Sequence, residues 1–187
     1  MKIKKIAIEN FGVYRGRHVF DLQTYPQNGS KKKNLIVVKG PNGAGKTTLY
    51  KSIALALFGR QAVGSKLTNK EYEEYLLARF HKTQFEEETQ KESEASVELT
   101  LDYVKSGKRN ELFIRREWSR NGQQVSEHLD IQMNHRAPEV QEVDYQTWLN
   151  DLFPPGLLHV LCFDAEDMNA LVRAKNDEEL KKVVKRL

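Results

Sequence analysis

Residues 40–47 read GPNGAGKT: Gly40 and Gly45 with four residues between them, one of those a further glycine, then a lysine and a threonine. This G-x-x-x-x-G-K-[ST] spacing makes a phosphate cradle when a buried strand precedes it and a helix follows. Each residue type has a physical task. Gly40 would end a strand in a tight turn. Gly43 and Gly45, lacking Cβ, let the backbone take positive φ and aim successive N–H groups at a polyphosphate. Asn42 and Ala44 complete the loop. A helix starting near Lys46 adds unsatisfied N–H groups and the positive end of its dipole. Lys46 would reach the β- and γ-phosphates and stabilise charge on the transferring phosphoryl group. Thr47 would ligate Mg²⁺, and Thr48 would help hold the α-phosphate. The expected ligand is Mg-ATP.

The flanking elements fit. "LIVVKG" (35–40) is a continuous apolar run, read as a strand buried on both faces of an α/β sheet. Leu49, Ile53, Ala56 and Leu57 fall on one helical stripe, and Gly59 stands where a left-handed C-cap would stop the helix. Upstream, "IKKIAIENF" (3–11) mixes β-branched residues with lysines and reads as an edge strand. Gly12 and Gly16 punctuate a turn, and residues 17–22 read as its partner strand. Downstream, Tyr72, Leu76 and Phe80 are spaced for a second helix, and residues 84–96 are almost wholly polar. "SVELTLDYV" (96–104) alternates with period two, and two further strands follow around Asn121-Gly122. Residues 143–153 read as a short helix ended by prolines, and "LLHVLCFDAED" (157–167) as another apolar run closing on acids.

The composition sets outer bounds. The chain has 187 residues, one domain's worth, with 30 basic and 26 acidic side chains and a formal charge of +4. That mild excess permits contact with nucleic acid without arguing for it. No stretch approaches the roughly 20 apolar residues of a membrane span. The start lacks an apolar targeting segment, and the single cysteine, Cys162, fits a reducing cytoplasm. The five histidines are scattered, with no zinc-like spacing. Asn176, Glu179, Leu180, Val184 and Leu187 read as a helix that reaches the last residue without a cap.

With these residues in view, the chain resembles the N-terminal ATPase segment of the SMC/SbcC-type DNA-processing family. "IAIENFGVYRG" is similar to that family's opening strand and turn, and "GPNGAGKTTLYKSIALALFG" to its phosphate loop and following helix. Within the family, "CFDAED" (162–167) looks like a stretch of the DNA phosphorothioation ATPase subunit, the DndD type. The resemblance covers residues 1–60 and, more loosely, 157–175. It implies an α/β P-loop lobe over residues 1–175 with an added antiparallel sheet. Residues 176–187 would begin a coiled coil. The ATPase head would be completed by a C-terminal lobe carrying the signature motif and the hydrolytic acids. Two such heads sandwich ATP as a homodimer, and the partners implied are DNA and other DNA-processing subunits, with no membrane.

"VLCFDAED" admits three readings. It is the counterpart of the family's glutamine loop, with Asp164 in the glutamine's place as a Mg²⁺ ligand beside Thr47. Or it is a Walker B strand of a stand-alone P-loop kinase or NTPase, with Glu166 or Asp167 as base. Or it is an ordinary strand end with solvated acids. A further possibility for the whole chain is a nucleotide-binding module that does not hydrolyse. Arg15 and Arg17 are candidates for nucleotide or DNA contact. Lys31, Lys32, Lys33, Arg60, Lys66 and Lys70 are candidates for DNA phosphates; simple solvation is the competing explanation for all of them. Arg115, Arg116 and Arg120 are explained by alternating exposure on a strand. Trp118, Trp148 and Cys162 read as core.

Overall fold

The computed structural model describes residues 1–23, 36–64, 67–81, 93–105 and 107–154. Five antiparallel strands form one sheet: β1 (Lys2–Phe11), β2 (Tyr14–Asp21), β3 (Ser93–Lys105), β4 (Lys108–Asn121) and β5 (Gln124–Met133), in the spatial order β2-β1-β3-β4-β5. Three helices accompany it: α1 (Lys46–Phe58), α2 (Asn69–Leu77) and α3 (Tyr145–Leu152). Outside the described residues lie Lys31–Lys33, Lys66, most of the polar stretch 84–96, and everything from 155 onward. The expectations for Cys162, Asp164, Glu166, Asp167 and the 176–187 helix therefore fall there too.

Period-two alternation builds the sheet. Ile6 and Ile8 of β1, Val97, Leu99 and Leu101 of β3, Leu112 and Ile114 of β4 and Ile131 of β5 point to one face and are fully buried. The register sets Ile6 opposite Leu99, and Leu99 opposite Ile114. Against this face lies α1. Its expected single stripe is exceeded: every residue from Ser52 to Phe58 is buried, so the helix is covered nearly all round.

Several sequence expectations are corrected. First, β1 is an interior strand between β2 and β3, not an edge. One of its lysines is received by acids further across the sheet: Lys4 Nζ bonds Glu111 of β4 and lies 3.7 Å from Asp102 of β3. Second, residues 36–41 form no regular element, and Ile36, Val37 and Val38 are 41, 63 and 49% exposed. A strand needs a neighbour to take its N–H and C=O groups, and among the described residues every sheet pairing lies within the β1–β5 meander. Third, residues 93–96, the end of the almost wholly polar stretch, belong to β3, which begins before the strand expected from residue 96.

Arg116 is the fourth correction. Alternation does place Arg115 outward, where Nη2 bonds Glu117 at 2.8 Å. The same alternation turns Arg116 inward, between Ile114 and Trp118, where it is 2% exposed. Burial is tolerated because its guanidinium is met on two sides. Nη1 donates to Glu127, and Nη2 donates to Gln146 Oε1 at 2.6 Å. Glu127 also accepts from the Tyr72 hydroxyl at 2.6 Å and Trp118 Nε1 at 2.8 Å. Burial, then the Glu127 charge, pushes the Tyr72 phenol well above its ordinary range. Gln146 donates onward to the Leu57 carbonyl at 3.1 Å. One network thus ties α2, β4, β5 and α3 to the end of α1.

Gly59 sits at that junction with φ +52° and ψ −129°, outside the left-handed helical cap expected from sequence. A Cβ there would meet Arg116 Nη1 at 2.8 Å. Gly122, at φ +62° in the β4–β5 turn, has open space around it. Gly122→Ala should therefore cost about 1 kcal/mol of conformational strain. Gly59→Ala should cost roughly 2–4 kcal/mol, since a clash with a buried cation is added. Urea denaturation of both variants decides this, and equal losses would contradict the packing described.

Candidate nucleotide-binding site

The site is built where a hairpin turn meets a helix start. β1 and β2 are joined across Gly12 and Val13, with Phe11 opposite Tyr14. Asn10 adopts φ +49°, and its Oδ1 accepts from Gly16 N–H at 2.8 Å, so a bulge tightens the end of β1. On one side the turn is held by the segment after α2. Gly12 N–H donates to Arg79 O at 2.6 Å, and His81 N–H to Asn10 O at 2.9 Å. On the other side it lies against the loop. A Cβ on Gly12 would meet Thr48 Cγ2 at 2.7 Å, and one on Gly45 would meet Val13 Cγ2 at 2.7 Å and the Tyr14 hydroxyl at 2.8 Å.

The loop has the backbone that its glycines foretell. Gly43 and Gly45 take φ +80° and +94°. At Gly43 the space is open, so backbone conformation alone demands glycine; at Gly45 both conformation and contact do. Helix α1 begins at Lys46 with Gly45 as its N-cap, no side chain caps it, and no acid occupies its first turn. The first intrahelical bond is Leu49 N–H to Gly45 O at 2.8 Å. The N–H groups of Lys46, Thr47 and Thr48 consequently have no acceptor within the helix. Lys46 Nζ donates to Gly40 O at 2.9 Å and Pro41 O at 2.8 Å, folding the side chain back across the loop.

These features fit a magnesium-bound polyphosphate. Uncapped N–H groups and a dipole end favour an anion, a cationic lysine lies over the loop, and residues 40–44 are exposed. Thr47 is exposed, free to offer its hydroxyl to a hard cation. The structure thus brings together Gly40, Asn42, Gly43, Ala44, Gly45, Lys46, Thr47 and Thr48 in one loop and helix start. Asp164, the other expected metal ligand, lies outside the described residues.

The basic candidates separate. Arg15 is exposed at the turn. Arg17 is engaged by the sheet itself: its two terminal nitrogens bond the two Glu98 carboxylate oxygens at 2.8 and 2.6 Å. That bond, chiefly, holds the Glu98 carboxyl below the usual range. Arg60 donates to Asn69 Oδ1, and Lys70 is exposed. Trp118 is buried as expected, while Trp148 is half-buried. Sequence reasoning passed over Tyr14, which donates its hydroxyl to Gly45 O at 3.1 Å. Its only signal was its place two residues after Gly12.

Comparison with known proteins adds one finding. A family model described as an AAA domain matches residues 5–186. No curated protein matches the chain.

Lys46→Ala should raise the dissociation constant for Mg-ATP at least tenfold, since a charge-assisted contact is worth more than about 1.4 kcal/mol. Lys39→Ala, at an exposed position outside the loop, should leave affinity unchanged. Calorimetric titration of both folded variants checks this. Equal affinities would contradict the site.

Proposed function

Because the chain belongs to the AAA-domain family of P-loop ATPases, we propose that it binds Mg-ATP through residues 40–48 and forms the N-terminal lobe of a DNA-processing ATPase head of the SMC/SbcC type. The observation that carries the nucleotide part is the pairing of positive-φ Gly43 and Gly45 with an uncapped helix N-terminus. The family match, together with the opening and loop sequences, supports the wider reading. The more specific likeness to the DNA phosphorothioation ATPase rests on "CFDAED".

The chain's own residues divide the work. The main-chain N–H groups of Gly43 and of Gly45 to Thr48 would bind the phosphate oxygens. Lys46 Nζ, now on the carbonyls of Gly40 and Pro41, would turn to phosphate oxygens, with three donors on a flexible stem. Thr47 would supply an oxygen to Mg²⁺, with Asp164 as the second ligand. Bound Mg-ATP supplies the γ-phosphoryl group that water attacks. The base for that water belongs to a second, C-terminal lobe, and the catalytic unit is an ATP-sandwiched pair of heads in the cytoplasm, acting with DNA and other DNA-processing subunits. No helix among the described residues is long and apolar enough to cross a membrane.

The 187-residue chain by itself should bind ATP weakly and show phosphate release close to the uncatalysed rate. A coupled phosphate assay, run with Glu166→Gln alongside, reads the outcome. Robust turnover that this substitution abolishes would replace the two-lobe reading with a self-contained NTPase. Binding with Mg-ATP-dependent association, and no hydrolysis even with a C-terminal lobe supplied, would favour a regulatory module.

A further inference from the structure

Tyr14 stands where the antiparallel sheet touches the phosphate loop. Its ring is buried, tilted against His18 at 5.2 Å and edge-on to Phe20 at 5.6 Å. Packing therefore fixes the direction of its hydroxyl, which reaches across to Gly45 O at 3.1 Å. The same carbonyl accepts the first helical N–H, from Leu49. Two donors from two different elements thus hold one oxygen. In a trans peptide the C=O and the next N–H point in opposite directions. With the Gly45 carbonyl drawn along the helix, the Lys46 N–H must project back out of the helix start, into the loop.

We propose that Tyr14 is a positioning residue for phosphate binding: its hydroxyl locks the Gly45–Lys46 peptide plane so that the Lys46 N–H faces the anion. A plain core tyrosine would account for the buried ring but not for a hydroxyl spent on the N-cap carbonyl of this helix. The glycine at 45 is part of the same arrangement, because a Cβ would lie 2.9 Å from the phenol carbon and force the ring away. The hydroxyl also polarises the peptide, since a donor on C=O makes the attached N–H a better donor in turn. Burial raises the Tyr14 phenol above its ordinary value, so it remains a proton donor across the neutral range.

The inference rests on the nucleotide-binding reading, and its test separates the two. The chain contains two Gly–Lys peptide bonds, Gly45–Lys46 and Gly107–Lys108. Labelling glycine carbonyls and lysine nitrogens yields two correlations by NMR, the second an internal reference. In nucleotide-free Tyr14→Phe the Gly45–Lys46 signals should move upfield in both dimensions while Gly107–Lys108 stays in place. Affinity for Mg-ATP and for magnesium tripolyphosphate should fall by the same factor, about 3–10, the net worth of one ordinary hydrogen bond. An unmoved Gly45–Lys46 signal, or unchanged affinity for both ligands, would overturn the proposal. If the wild type binds neither ligand, the nucleotide reading fails and takes the proposal with it, even where the signal moves. Should Tyr14→Phe not fold, 3-fluorotyrosine in the wild-type chain strengthens the donor while replacing only one ring hydrogen by fluorine. The Gly45 signal must then move downfield, and no movement overturns the inference.

Discussion

The contact between the β1–β2 turn and the start of α1 is the constraint on which the rest of the molecule depends. Three positions make it: Gly12 against Thr48, Val13 against Gly45, and the Tyr14 hydroxyl on the Gly45 carbonyl. Neither side can shift without losing a close approach that only glycine permits. The sheet is thereby a mount for the phosphate loop. The register of β1 with β3, and the segment 79–81 behind the turn, determine where the turn points. The far end of α1 is held by different means, through Gly59 under the Arg116 guanidinium and Gln146 on the Leu57 carbonyl. A helix clamped at both ends and buried along seven successive residues keeps its N–H groups aimed in one direction.

Much of this was legible because local chemistry decided it. Glycines at 43 and 45 must take positive φ for the loop to close, and they do. Apolar residues two apart in 96–104 share a face, and the meander follows from them. The helix start at Lys46 needed no tertiary information. What stayed hidden was set by partners remote in sequence. Lysines in β1 suggest an edge until Asp102 and Glu111 are seen to receive Lys4. Arg116 resembles its neighbour Arg115 in the sequence, and only the parity of β4 with the carboxylate of Glu127 explains why one is buried. "LIVVKG" has the composition of a buried strand, yet residues 36–41 have no strand beside them among the described residues. Tyr14 carried no motif at all.

Charge follows a similar logic. Arg17 and Arg115, on the outer face of the sheet, are both spent on the cross-strand carboxylate of Glu98, and Arg115 also bonds Glu117 two residues along its own strand. Such pairs stabilise a strand register, and each contributes modestly at the surface. They leave that face a poor candidate for a polyanion. Among the described residues, the loop is where a lysine and a helix dipole act together on one small exposed region. Binding of a nucleotide's phosphates is therefore the chemistry that the described part of the chain is arranged to perform.

Amide hydrogen exchange with and without Mg-ATP addresses this account at its centre. If the loop and the turn form one rigid cradle, saturating nucleotide slows exchange at residues 43–49 and, through the shared contact, at residues 12–14, while β4 and β5 exchange as before. Nucleotide bound at saturation with both segments exchanging at their free rates would contradict it.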